Sequence, residues 1–169
     1  MQDILVNMTE AEKHGVITTL RLFTLYGLYA NEFWCDTMLR RYPRPEVKAL
    51  CSVNGAIEVG VHQPFYARLN ELLNLNTDKF YLSYVDDPVL KERIDFIDEI
   101  VHKECNTEID HLVSTGGFSF VEGSVLYSSF ALLKHFQSQS KNKITNTVRG
   151  INFSSIDENL HAMGGSGIF

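Results

Sequence analysis

The chain has 169 residues, 44% of them hydrophobic and 21% charged, with only 4 prolines. That length can bury a sizeable core, and the composition excludes a disordered or low-complexity chain. A formal net charge of −6 argues against general nucleic-acid binding, which needs a concentrated basic face.

The segment Met1 to Thr9 lacks the basic start and apolar core of a signal peptide. The longest apolar runs are interrupted by Arg21, Glu58 or Glu122, so no membrane span is expected and the cytoplasm is the expected location. Thr9-Glu-Ala-Glu12 predicts a capping box that opens a long helix, on which Val16, Leu20, Phe23, Leu28 and Trp34 recur at helical spacing until Pro43 and Pro45. Its aromatic face, Phe23, Tyr26, Tyr29 and Phe33, suits either a dimer contact or the core. The basic run Arg40-Arg41-Tyr42-Pro43-Arg44 complements the negative end of that helix. Pro45 suits the first position of a second helix to about Leu73, with Pro64 loosening the turn beside His62.

Asn74 to Lys79 reads as a loop and Phe80 to Val85 as a short irregular or helical piece, although Lys79 to Tyr84 would also pass for a strand by alternation. Asp87-Pro88 starts a third helix through Ile94, Ile97 and Val101. Thr107 starts a fourth, whose apolar stripe carries Leu112, Phe118, Glu122, Val125, Leu126, Ser129, Phe130 and Leu133. After a polar break from Gln137 to Asn142, a fifth helix with Ile144, Val148, Ile151, Glu158 and His161 runs to Gly164 and Gly165. One all-α domain over 1–169 is expected. Cys35, Cys51 and Cys105 are too widely spaced for a zinc ribbon or redox pair and are expected as reduced thiols in helices.

Two units, Glu58-Val-Gly-Val-His62 and Glu158-Asn-Leu-His161, each put a carboxylate and an imidazole on one helix face. Glu122 lies between them on an apolar stripe, where a carboxylate must be paired or coordinated. Four-helix bundles build dinuclear carboxylate sites from a Glu on each of two helices and a Glu-x-x-His on each of the other two. Glu158 and His161 have that spacing, whereas Glu58 and His62 have one residue more, still share a face, and need a local rotation or a widened turn to match. His14, His102, His111 and His135 have no partner carboxylate on an apolar stripe and are expected to be exposed. By itself the group also fits a ferritin-like dimetal oxidase or, with no metal bound, a structural fragment.

These residues resemble the small, radical-generating subunit of class I ribonucleotide reductase, a ferritin-like family. Asp157-Glu158-Asn-Leu-His161 is similar to its Asp-Glu-x-x-His motif, and Glu122 with Ser129-Phe130 to its Glu ligand and following Ser-Phe pair. His62-Gln-Pro-Phe-Tyr66 keeps the distance from a His ligand to the tyrosine that becomes a radical. The resemblance extends from about Asp3 to His161. It implies a ferritin-like bundle holding two iron ions, manganese, or a mixed pair through Asp3, Glu58, His62, Glu122, Glu158 and His161. It also implies a radical on Tyr66, export through His62 and Asp157 to a large catalytic subunit, a homodimer, and a truncated or split chain with a complementary C-terminal fragment. The chain departs from the family pattern where Val59 stands three before His62 and the Glu stands at 58. Asp3 takes the place of the family's Asp before the first long helix, one residue farther from it than the pattern has.

Overall fold

A computed structural model describes residues 2–138 and 141–169, and among these it contains helices and no strand. Helix α1 (Glu10–Glu32) continues through a π-helical segment (Phe33–Met38) to a last turn (Leu39–Arg41). Helix α2 (Pro45–Ile57) likewise continues through a π turn (Glu58–His62) into Gln63–Leu72. A short α3 (Asp78–Leu82) and a 3₁₀ turn (Ser83–Asp86) lead to α4 (Pro88–His102). Helix α5 (Glu108–Phe120) passes through another π turn (Val121–Val125) into Leu126–His135, α6 (Thr145–Ile168) follows it, and a π-helical segment (Asp3–Asn7) precedes α1.

The starts follow the local chemistry. The Thr9 hydroxyl accepts the Glu12 N–H while the Glu12 carboxylate accepts the Thr9 N–H, which is the capping box expected from sequence. Asp87 accepts the N–H groups of Val89 and Leu90 ahead of Pro88. Thr107 and Asp110 form a second capping box. Thr77 caps Phe80, so the alternating Lys79–Tyr84 stretch is helical and α3 starts at Asp78, inside the expected loop. At the other end of α1, Arg41 reaches the Ser114 hydroxyl at 2.7 Å and the Lys103 carbonyl at 3.2 Å, tying it to α5 and the preceding loop.

The helices form a closed ring, α1 against α2, α2 against α6, α6 against α5 and α5 against α1, with α4 packed on α1 and α5. The core inside it includes Phe23, Phe33, Trp34, Phe118, Phe130 and Ile151. The aromatic face of α1 belongs to this core: Phe23, Tyr26 and Phe33 are buried, and Phe33 stacks on Phe118 with centroids 3.9 Å apart. Leu28 and Leu112 leave the stripes assigned to them and are exposed.

Three further expectations change. Helix α6 does not stop at Gly164 and Gly165 but runs to Ile168, because those glycines serve close packing: a Cβ on Gly165 would lie 2.1 Å from Ser119 Oγ. Cys105 lies in the loop after α4, while Cys35 and Cys51 are helical, and all three thiols are free. His111 is half-buried, unlike His14, His102 and His135, which are exposed. No helix among the described residues is long and apolar enough to cross a membrane.

Candidate metal centre

Helix α2 brings Glu58 and His62 to the middle of the ring, α5 brings Glu122, and α6 brings Glu158 and His161. All five are at most 2% exposed. The extra residue between Glu58 and His62 is absorbed by the π turn, where the Gln63 N–H bonds to the Glu58 carbonyl five residues back. Pro64, which has no N–H, removes the next rung of the ladder. Glu122 sits in a turn of the same kind, closed by the Leu126 N–H on the Val121 carbonyl. Both widened turns therefore carry a carboxylate of the group.

Glu58, Glu122, Glu158 and His161 each offer a ligand atom, and these atoms lie within 4.8 Å of one another. His161 Nδ1 is 3.0 Å from Glu58 Oε1 and 3.0 Å from Glu158 Oε2. His62 Nδ1 is 3.1 Å from Glu158 Oε1 and 3.3 Å from Glu58 Oε1, yet it makes no aligned hydrogen bond. Glu58 Oε1 and Glu122 Oε2 are also buried without a hydrogen-bond partner. Orphaned polar atoms at such a density are costly unless something binds among them. Three carboxylate and two imidazole donors fit a transition-metal ion of intermediate hardness.

The electrostatics of the group itself point the same way. Burial, with the charges of Glu158 and Glu58, raises the Glu122 carboxyl well above its usual range. Burial also disfavours charge on Glu158, but His161, His62 and Glu122 outweigh it and bring that carboxyl to about 2. Burial pushes both imidazoles down, and the surrounding carboxylates overcome it, leaving His62 at about 11 and His161 at about 9. Without metal, the imidazolium charges stand in for a cation.

The outer contacts orient these donors. Asp157 Oδ2 accepts the His62 Nε2 proton at 3.1 Å, which turns Nδ1 towards the carboxylates. Trp34 Nε1 donates to Glu122 Oε1 at 3.1 Å from α1. Tyr66 is buried one turn beyond His62, with ring centroids 6.3 Å apart, and packs on Phe23 at 4.8 Å. Burial first, then the charges of Glu158, Glu58 and Glu122, raise its phenol well above the ordinary value. Tyr127 points elsewhere and donates to the Ser155 carbonyl.

Asp3 is not brought to this group. Its carboxylate accepts from the Asn7 amide and from the Ile144 N–H, both at 2.9 Å, at the start of α6. Glu158 lies fourteen residues farther along that helix, about 21 Å at the helical rise. Trp34 is the contact that the sequence placed only as a core residue. A lone tryptophan on an apolar stripe, whose N–H needs a partner when buried, was the available signal.

The family model described as ribonucleotide reductase, small chain, matches residues 1–169, the whole length. With an all-helical ring and a buried carboxylate and imidazole group at its centre, the chain belongs to the ribonucleotide reductase small chain family.

Proposed function

We propose that this chain is the radical-generating small subunit of a ribonucleoside-diphosphate reductase, its 169 residues forming one ferritin-like domain that acts with a large catalytic subunit. The observation that carries this reading is the burial of three carboxylates and two imidazoles directly beside the buried Tyr66. Family membership implies a dimetal site, and the donors suit iron, manganese or a mixed pair. Held by Glu58, His62, Glu122, Glu158 and His161, such a reduced pair supplies the activation of dioxygen.

The chain's own residues do the remainder. Tyr66 gives up one electron and its phenolic proton, and its burial against Phe23 and Phe65 keeps water and reductants from the radical. Asp157 holds the His62 ring in place and, with its side chain 30% exposed, links the interior to the surface. Radical export runs along this pair to a cysteine of the large subunit. A homodimer and a cytoplasmic setting complete the proposal.

The test is anaerobic loading with ferrous or manganous ions, exposure to oxygen, and low-temperature electron paramagnetic resonance. An organic radical is expected from the unmodified chain and none of the same signal from Tyr66→Phe. An unchanged signal in the variant removes Tyr66 from the proposal. Oxygen consumption without any radical identifies a dimetal oxidase instead, and failure to bind metal a structural fragment.

A further inference from the structure

Three of the four helices in the ring bring donors to the centre, and α1 brings none. It faces the same small cavity with Phe23, Tyr26, Gly27 and Ala30, opposite Glu58, Glu122 and Glu158. Its only polar contribution to the group is the Trp34 N–H on Glu122. Gly27 is buried, and a Cβ built there would meet Glu58 Oε2 at 3.9 Å and nothing nearer. A side chain therefore has room to begin at this position, pointing at a carboxylate of the group. Asp3, the remaining sequence candidate for another carboxylate, is engaged at Ile144.

Dinuclear sites in four-helix bundles draw a carboxylate from each helix, so four negative charges balance two divalent ions. Here three buried carboxylates would face the same two ions. The net positive charge left over would sit in a dry interior, where an unbalanced charge is strongly disfavoured. The deficit is also uneven in space. Glu58, Glu122, Glu158 and His161 converge on one position, whereas an ion at His62 would have that imidazole and only a share of Glu58 and Glu158.

Resting on the reading of this group as a metal centre, we infer that its two metal positions are unequal. The position at Glu122, Glu158, His161 and Glu58 is the tight one, and the position at His62 is weak because the ring brings no fourth carboxylate, α1 facing Glu58 with Gly27 instead. Gly27→Asp supplies that carboxylate and equalises the two positions.

The experiment is equilibrium dialysis of the full chain against manganous ion, with bound metal counted by elemental analysis and the bound ions examined by electron paramagnetic resonance. The unmodified chain is expected to take one ion per chain first and a second at least about tenfold more weakly, giving an isolated-ion spectrum at low loading. Gly27→Asp is expected to take two with similar affinity and to show a spin-coupled pair, while Gly27→Ala behaves as the unmodified chain. Two equal, coupled ions in the unmodified chain overturn the inference and leave the metal centre standing. No bound ion in either the unmodified chain or Gly27→Asp overturns the metal centre itself. If Gly27→Asp does not fold, the stoichiometry and spectrum of the unmodified chain decide the matter alone.

Discussion

Trp34 and Asp3 show how far a side chain's role depends on its partner. The Trp34 N–H satisfies one oxygen of Glu122, a carboxylate with no exposure. Trp34→Phe keeps most of the ring's packing against Phe33 and Phe118 but leaves that oxygen without a donor. A loss of about 1–3 kcal/mol is expected in chemical denaturation of the metal-free chain, and metal is expected to recover part of it by binding Glu122. Asp3→Ala is expected to leave metal content unchanged while lowering the unfolding midpoint. Its carboxylate accepts the N–H of Ile144, a β-branched residue held at φ 49°. Reduced metal content in that variant would restore Asp3 as a ligand. Away from the metal group, the half-buried Glu12 is held at about 2, first by the Thr9 N–H and then by Lys143. Its folded value lies below the ordinary 4.5, so its contribution is present above about 4.5 and is lost as pH falls towards 2. Glu12→Gln is expected to flatten that acid limb in thermal melts recorded across this range.

At the scale of elements, the widened turns and the interior glycines of α6 do complementary work. The turns at Glu58–His62 and Val121–Val125 rotate carboxylates inward without breaking their helices. The glycines let α6 lie close enough to α5 and α2 for its ligands to reach across. Gly165→Ala would set a methyl group 2.1 Å from Ser119 Oγ, an overpacking expected to cost about 1–3 kcal/mol. The double variant with Ser119→Ala removes the closest clash, and unfolding free energies of the four proteins in the cycle are expected to show a favourable coupling. Additive losses would mean that α6 shifts as a whole instead of clashing at this point.

For the whole molecule, the buried group makes stability dependent on metal. A ligand present at a hundred times its dissociation constant stabilises the folded state by about 2.7 kcal/mol. Chelation is therefore expected to lower the melting temperature of the loaded chain. Glu122→Ala is expected to abolish that dependence, because it removes a fully buried carboxyl of the group. A metal-dependent shift that survives in Glu122→Ala would mean that binding occurs elsewhere.

Much of this architecture is written in local signals. The capping boxes, the proline starts and the 3.6-residue recurrence of apolar side chains act over single turns, so the long helices and their starts are legible in the sequence. The same holds for Glu158 with His161, whose spacing alone puts them on one face, while the spacing of Glu58 to His62 required either a local rotation or a widened turn, and the structure takes the widened turn. What the tertiary structure decided involves residues far apart in the chain. Trp34 meets Glu122 across 88 positions and His62 meets Asp157 across 95, contacts fixed only when the ring closes. Asp3 had the right chemistry for a ligand, but its helix-start position places it some four turns of α6 from the centre. Gly164 and Gly165 looked like a helix end because glycine lowers helix propensity. Packing against Leu50, Ser119 and Trp34 outweighed that local preference, since burying α6 against two neighbours recovers more than the glycines forfeit.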